Sequence, residues 1–308
     1  MSLSAKHPGI PPLATLVLGA VLISFAPVFV KMIDTVSMGP TAIAFWRTLI
    51  GGLALVPLAA AAGRSLILPK GLWKFSLLAG FVFFIDLFVW HKSILYTGAG
   101  MATILGNTQV FATSLLGVLI FHERLTATFV FAALSAMAGV VLLVGVGGEV
   151  ALTTRYLEGV AFGLATGIAY ASYLITLKRA SHQPQRLEPI AFMAWTSLIS
   201  SVFLGVAGVI EGDPMMPPTV RDFAVVSVLG IVVQAAAWMI IVRSMARLEA
   251  SRTGLVLLLQ PTLATVWGML FFAERLGPTQ LLGAAITLVA IYVGAQRAAK
   301  VGLPEDNR

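Results

Sequence analysis

From Leu13 to Arg297 the chain is a succession of apolar runs, each about 20 residues long and separated by short polar stretches. A helix of that length crosses roughly 30 Å, the hydrocarbon thickness of a bilayer. Backbone groups in hydrocarbon must be hydrogen-bonded within the segment, so helices are expected. The runs fall at about 12–30, 39–62, 75–96, 100–121, 126–147, 157–178, 188–210, 221–242, 251–272 and 276–297. The breaks between them read as turns: HQPQRLEP (182–189) and EGDPMMPP (211–218) mix Pro, charge and amide or Gly. A β-barrel would show shorter, alternating segments. Charged residues are only 11% of the chain, against about a quarter in soluble domains. The expected fold class is an all-α integral membrane protein with ten transmembrane helices.

The cations orient it. With a cytoplasmic N-terminus, Lys31, Lys92, Arg155, Arg221 and Arg275 fall outside and Arg47 lies within a span, leaving 20 − 6 = 14 of the Lys and Arg inside. The positive-inside rule then predicts both termini in the cytoplasm. Topology also accounts for the net charge of +7, which is scattered over loops rather than gathered on one nucleic-acid-binding face. MSLSAKHPGIPP leads directly into the first run, so no cleavable signal is expected. Zero cysteines exclude disulfides, thiolate metal sites and cysteine nucleophiles. No phosphate-cradling GxxxxGK[ST] occurs. The histidines at 7, 91, 122 and 182 are read as lying in tails or at membrane edges without ligand spacing. No cofactor, no metal and no enzyme activity are expected.

One pentapeptide is written twice, FHERL at 121–125 and FAERL at 272–276. Glu123 and Glu274 are 274 − 123 = 151 positions apart, and the same offset pairs Lys92 with Arg243, Gln109 with Gln260 and Gly117 with Gly268. Earlier in each half the offset shrinks, to 149 between Trp46 and Trp195 and 147 between Lys31 and Lys178. The chain thus reads as a duplicated five-span unit, residues 1–150 and 151–298, with a cytoplasmic tail at 299–308. Five is odd, so the second copy enters from the opposite side. Inverted repeats of this kind build secondary transporters that alternate access around a central cavity.

The two five-span halves, FWR at 45–47, and the endings GVLIFHERL and GMLFFAERL resemble the EamA-type drug/metabolite transporter superfamily, over nearly the whole chain. Within it the chain is most similar to the YddG-like exporters of aromatic and other neutral amino acids. Arg47 departs from the repeat, since Thr196 stands at its equivalent position. The resemblance implies export of small metabolites across the inner (plasma) membrane of a bacterium. The implied partners are a small-molecule substrate and membrane lipid, with protons as a candidate coupling ion.

Candidate substrate-binding residues follow from helical spacing. Phe83, Asp86, Leu87 and Trp90 form one stripe on the third span. Gln234 and Trp238, the repeat partners of Phe83 and Leu87, form its counterpart on the eighth. These stripes are read as walls of a cavity, against the alternative of packing between helices; Trp90 also fits an interfacial anchor. Asp86 is an ionisable residue mid-span, which points to a polar pathway or to a tie, through Arg47 for example. Arg47 is read first as snorkelling or ion-paired and second as a carboxylate clamp. Asn107 and Gln109 interrupt the fourth span and Gln260 the ninth, while Tyr170 and Tyr173 add hydroxyls on the sixth. Pro27 and Pro261 each free a helix carbonyl, as a hinge or an ordinary kink. The pairs Glu123–Arg124 and Glu274–Arg275 are read as helix-end caps that can also gate. Three functions remain open: export of amino acids or similar metabolites, proton-coupled export of hydrophobic cations with Asp86 as counter-charge, and a passive channel or interaction protein.

Overall fold

A computed structural model describes residues 11–33, 37–144, 153–185, 187–273 and 277–297. The described chain is helical, and ten spans follow in order: Pro12–Met32, Pro40–Ala61, Lys70–Thr97, Ala99–Phe121, Ala127–Val144, Thr154–Ser181, Pro189–Glu211, Val220–Met245, Ala250–Phe272 and Pro278–Arg297. Nine of these described helices are long and apolar enough to cross a membrane, and the fifth is shorter. Large apolar side chains such as Leu115, Phe131, Val202 and Leu270 are exposed on the outside, as lipid-facing residues of a multi-pass protein are.

Where the helices break, the cause is local. Proline clashes with the carbonyl four residues before it. The first span is interrupted at Ser24–Phe25, directly after Ile23, four residues ahead of Pro27. The ninth is interrupted at Leu257–Leu258, four and three residues ahead of Pro261. In the fourth span side chains do the same work: Thr108 Oγ1 donates to Leu105 O at 2.5 Å and Asn107 Nδ2 to Thr103 O at 2.7 Å, and the helix restarts at Gln109. The eighth span carries a π-helical stretch, Leu229–Ala237, with no counterpart in the third.

Packing obeys the duplication. The third span lies along the sixth and the fifth along the tenth, while the second packs on the seventh. Trp46 Nε1 donates to Met215 O at 2.6 Å, and Trp195 Nε1 donates to Leu66 O at 2.8 Å. The donors differ by 195 − 46 = 149 and the acceptors by 215 − 66 = 149, so each repeat's tryptophan ties down the other repeat's loop in the same way. Where the fifth and tenth spans cross, Thr287 Oγ1 donates to Ala136 O at 3.4 Å. Those two positions are themselves 287 − 136 = 151 apart, so this bond sits on the pseudo-two-fold axis.

Candidate functional site

Four aromatic side chains from three spans meet at the centre. Phe83 stacks on Tyr173 with ring centroids 4.6 Å apart, and Trp238 presents an edge to both, at 5.7 and 4.9 Å. Tyr170 meets Trp238 at 6.0 Å. Offset and edge-to-face geometry favours such rings over a face-to-face sandwich. Phe83 on the third span and Trp238 on the eighth come from the two stripes, and the sixth span closes the box.

Around these rings several buried polar atoms have no hydrogen-bond partner: Arg47 Nε, Tyr173 OH, Gln234 Oε1 and Trp238 Nε1. Buried polar groups are nearly always satisfied, and leaving one unpaired costs about 1–3 kcal/mol. Two amide donors nearby are engaged. Gln234 Nε2 donates to Ser197 Oγ at 3.0 Å, and Gln260 Nε2 donates to Tyr170 OH at 2.9 Å.

Arg47 corrects one expectation, because it does not snorkel. It is 8% exposed and its Cζ lies 5.9 Å from the Phe83 ring centroid. The second and eighth spans cross too closely for it to turn outward: a Cβ on Gly51 would meet Gln234 Cβ at 2.6 Å, and one on Gly230 would meet Arg47 O at 3.0 Å. Asp86, also 8% exposed, is close enough to Arg47 for their charges to interact. Among the described residues, however, no ion pair joins them within 4.0 Å.

Other sequence candidates lie apart from the box or serve the scaffold. Trp90 pairs with its neighbour His91 at 5.2 Å and lies beside Gly106 of the fourth span. His91 is not at a free edge, since its Nδ1 is buried and unpartnered. Leu87 is buried on the stripe, and the Asn107 amide is turned back on its own helix. Gln109 is fully buried, donating Nε2 to Gly254 O at 2.9 Å and accepting from Thr113 Oγ1 at 3.0 Å. Pro261 is buried beside its helix break and Pro27 is exposed beside its own.

The repeated pentapeptide gains a structural meaning. His122 and Ala273, its second residues, both adopt left-handed backbone, with φ of 56° and 53°. Each ends its helix, and after His122 the chain turns so that Glu123 leaves the helix axis. Glu123 then caps the ninth span, in the other repeat. Its carboxylate accepts from Ala250 N at 2.6 Å, Ser251 N at 3.1 Å and Ser251 Oγ at 2.7 Å, and from Lys178 Nζ at 2.8 Å. Lys178 also donates to Leu248 O at 2.8 Å and sits over the Phe121 ring, 4.8 Å from its centroid. Burial pushes the Glu123 carboxyl upward, but the bond and charge of Lys178 and the backbone donors outweigh it and hold it below its ordinary value. A Cβ on Gly117 would lie 2.6 Å from Glu123 Oε2, so this glycine leaves room for the carboxylate. Arg124 is exposed and lines a depression of about 470 Å³ beside the cap, with His122, His182 and Glu249. Lys178, Ser197 and Ser251 were missed as functional partners. The only sequence signal was the Lys31–Lys178 repeat pairing, which showed that a lysine recurs but not what it holds.

The two ends of the four–nine seam differ. Ala250 and residues 251–259 are buried, whereas Ala99, the repeat position of Ala250, is exposed. Lys178 is 5% exposed, and Lys31 is exposed with its Nζ over the Phe272 ring at 4.6 Å. Gln109 crosses to the ninth span, but its partner Gln260 bonds to the sixth instead. Glu274 and Arg275 lie outside the described residues.

This arrangement, ten spans in two repeats around an aromatic box with unsatisfied polar atoms, is that of a membrane transporter. The chain belongs to the EamA-like transporter family, whose profile matches it twice, at residues 11–145 and 157–294. It is similar to a chloroplastic WAT1-related protein of Arabidopsis thaliana, 26% identical over 284 residues, covering 87% of this chain but only 64% of the plant protein. It is 25% identical to a probable amino-acid metabolite efflux pump of Escherichia coli over 66% of this chain and 71% of that one. It is 29% identical to the threonine/homoserine exporter RhtA of Salmonella typhimurium over 68% of this chain and 66% of the exporter. One solved crystal structure shares the fold, with a TM-score of 0.79 at 18% identity over 92% of this chain and 98% of that one.

Proposed function

We propose that the protein is a secondary transporter that exports amino acids, aromatic and other neutral ones, or similar small metabolites across the inner membrane by alternating access. The observation that carries this reading is the central box. Its rings offer apolar surface to a side chain, while the free Arg47 Nε and Trp238 Nε1 are donors suited to a carboxylate and Gln234 Oε1 is an acceptor suited to an ammonium. Pairing those groups with a substrate would relieve the cost that their burial carries. Relatives named as an amino-acid metabolite efflux pump and a threonine/homoserine exporter support the substrate class.

The gating role follows from Glu123. It ties the end of the fourth span to the start of the ninth and so closes the FHERL face. With both termini in the cytoplasm this face is the cytoplasmic one, and the box beneath it is buried. Transport then requires the Glu123 cap to break in each cycle.

A second reading rests on Asp86. A buried carboxylate with no ion-pair partner among the described residues, next to aromatic rings, also suits a hydrophobic cation. Uptake into liposomes holding the purified protein separates the two, using labelled phenylalanine, threonine, methionine and a lipophilic cation, each with and without a proton gradient. Saturable amino-acid flux supports the proposal. Flux of the cation alone, dependent on the gradient and abolished by Asp86→Asn, would replace it with the second reading.

A further inference from the structure

A second depression, of about 420 Å³, opens beside the third and sixth spans at the same face as Glu123 and is lined by Lys74, Phe75, Leu78, Arg179 and Gln183. The third span starts at Lys70 and the sixth ends at Ser181, so two helix ends bring these residues together at the edge of the membrane-spanning region. Lys74 is four residues into its helix and Leu78 four further, steps of about 6 Å each at 1.5 Å per residue. Cations therefore stand at the mouth and apolar side chains deeper.

Neither cation is neutralised. Among the described residues Lys74 and Arg179 form no ion pair, both are exposed, and the Lys74 ammonium rests over the Phe75 ring, 5.1 Å from its centroid. Leu78 is 49% exposed, presenting an apolar wall to the surroundings. Gln183 donates Nε2 to Arg179 O at 3.1 Å, which leaves its carbonyl for a hydroxyl donor.

We infer that this depression is a binding site for an anionic phospholipid, with the phosphate between Lys74 and Arg179, the headgroup hydroxyls at Gln183 and an acyl chain along Phe75 and Leu78. Basic pockets between spans hold anionic headgroups in this way, and the apolar wall argues for a lipid over free phosphate. The site is separate from the central box, so it stands whatever the substrate is.

The test places the full-length protein in nanodiscs of phosphatidylcholine with 30% phosphatidylglycerol and counts retained phosphatidylglycerol by native mass spectrometry after extraction. The wild type is expected to retain phosphatidylglycerol over phosphatidylcholine, with the preference fading as salt is raised, since the attraction is screened. Lys74→Gln with Arg179→Gln is expected to lose that preference roughly tenfold. Equal retention of the two lipids by the wild type, or a preference indifferent to both salt and the double substitution, overturns the site. Thermal stabilisation by inorganic phosphate in pure phosphatidylcholine discs, matching that by the lipid, would assign it to free phosphate instead. The salt titration uses only the wild type, so poor folding of the variant leaves the inference exposed to refutation.

Discussion

Trp46 and Trp195 make the same hydrogen bond in opposite directions, each indole anchoring the loop that follows a span of the other repeat. Replacing either with Phe keeps most of the ring packing and removes one bond worth about 1 kcal/mol. Trp46→Phe and Trp195→Phe are each expected to lower the melting temperature by a few degrees in detergent. The two losses should add in the double variant, because the bonds share no partner. Non-additive losses would show that the loops are coupled through something other than these two contacts.

The Glu123 cap predicts a population shift. Removing one partner of a buried, hydrogen-bonded charge costs about 3–5 kcal/mol, and Glu123→Ala takes that from the state closed at the FHERL face alone. The chain has no cysteine, so Val256→Cys, at a position 1% exposed, reports directly. It should resist a maleimide in the parent and react in the Glu123→Ala background. Gly117→Ala, which crowds the carboxylate, should give a weaker version of the same change.

The same cap sets a pH dependence. Glu123 is held below its ordinary value of 4.5. Its contribution is therefore fully present above pH 4.5 and is lost as pH falls through the lowered folded value. The difference in melting temperature between the parent and Glu123→Gln should stay constant from pH 8 to 5 and shrink only in more acidic buffer. A change already centred near neutral pH would show that Glu123 is not the group responsible.

Much of the fold was legible because its signals are local. Apolar run length gave the ten spans, and the 151-residue offset between FHERL and FAERL gave the repeat. The left-handed residues and the prolines sit where that reading put the helix ends and kinks. Burial was less legible. Arg47 reads from the sequence as snorkelling or ion-paired because depth along a helix can be counted but the direction it faces cannot; that depends on Gly51 and Gly230 letting two spans cross. The partner of Glu123 was hidden for a related reason, since its donors stand 127 and 128 residues away in the other repeat.

Trp238 separates substrate contact from packing. Its Nε1 is buried without a partner in the protein, so Trp238→Phe breaks no internal hydrogen bond. The melting temperature should move by no more than a degree or two, while the apparent KM for an amino acid rises about fivefold, the worth of roughly one hydrogen bond. A large loss of stability with KM unchanged would make Trp238 a packing residue.

Alternating access at the four–nine seam can be tested by pinning it. A Cβ on Gly254 would lie 3.1 Å from Thr113 Cβ, slightly inside the separation of about 3.5–4.5 Å that a disulfide spans. The measurement is exchange of labelled for unlabelled phenylalanine across proteoliposomes holding Thr113→Cys with Gly254→Cys, before oxidation, after oxidation and after reduction. The account predicts exchange when reduced, arrest when the disulfide forms and recovery when it is cleaved. Undiminished exchange with the disulfide fully formed would contradict it, because substrate would then be crossing without the FHERL face ever opening.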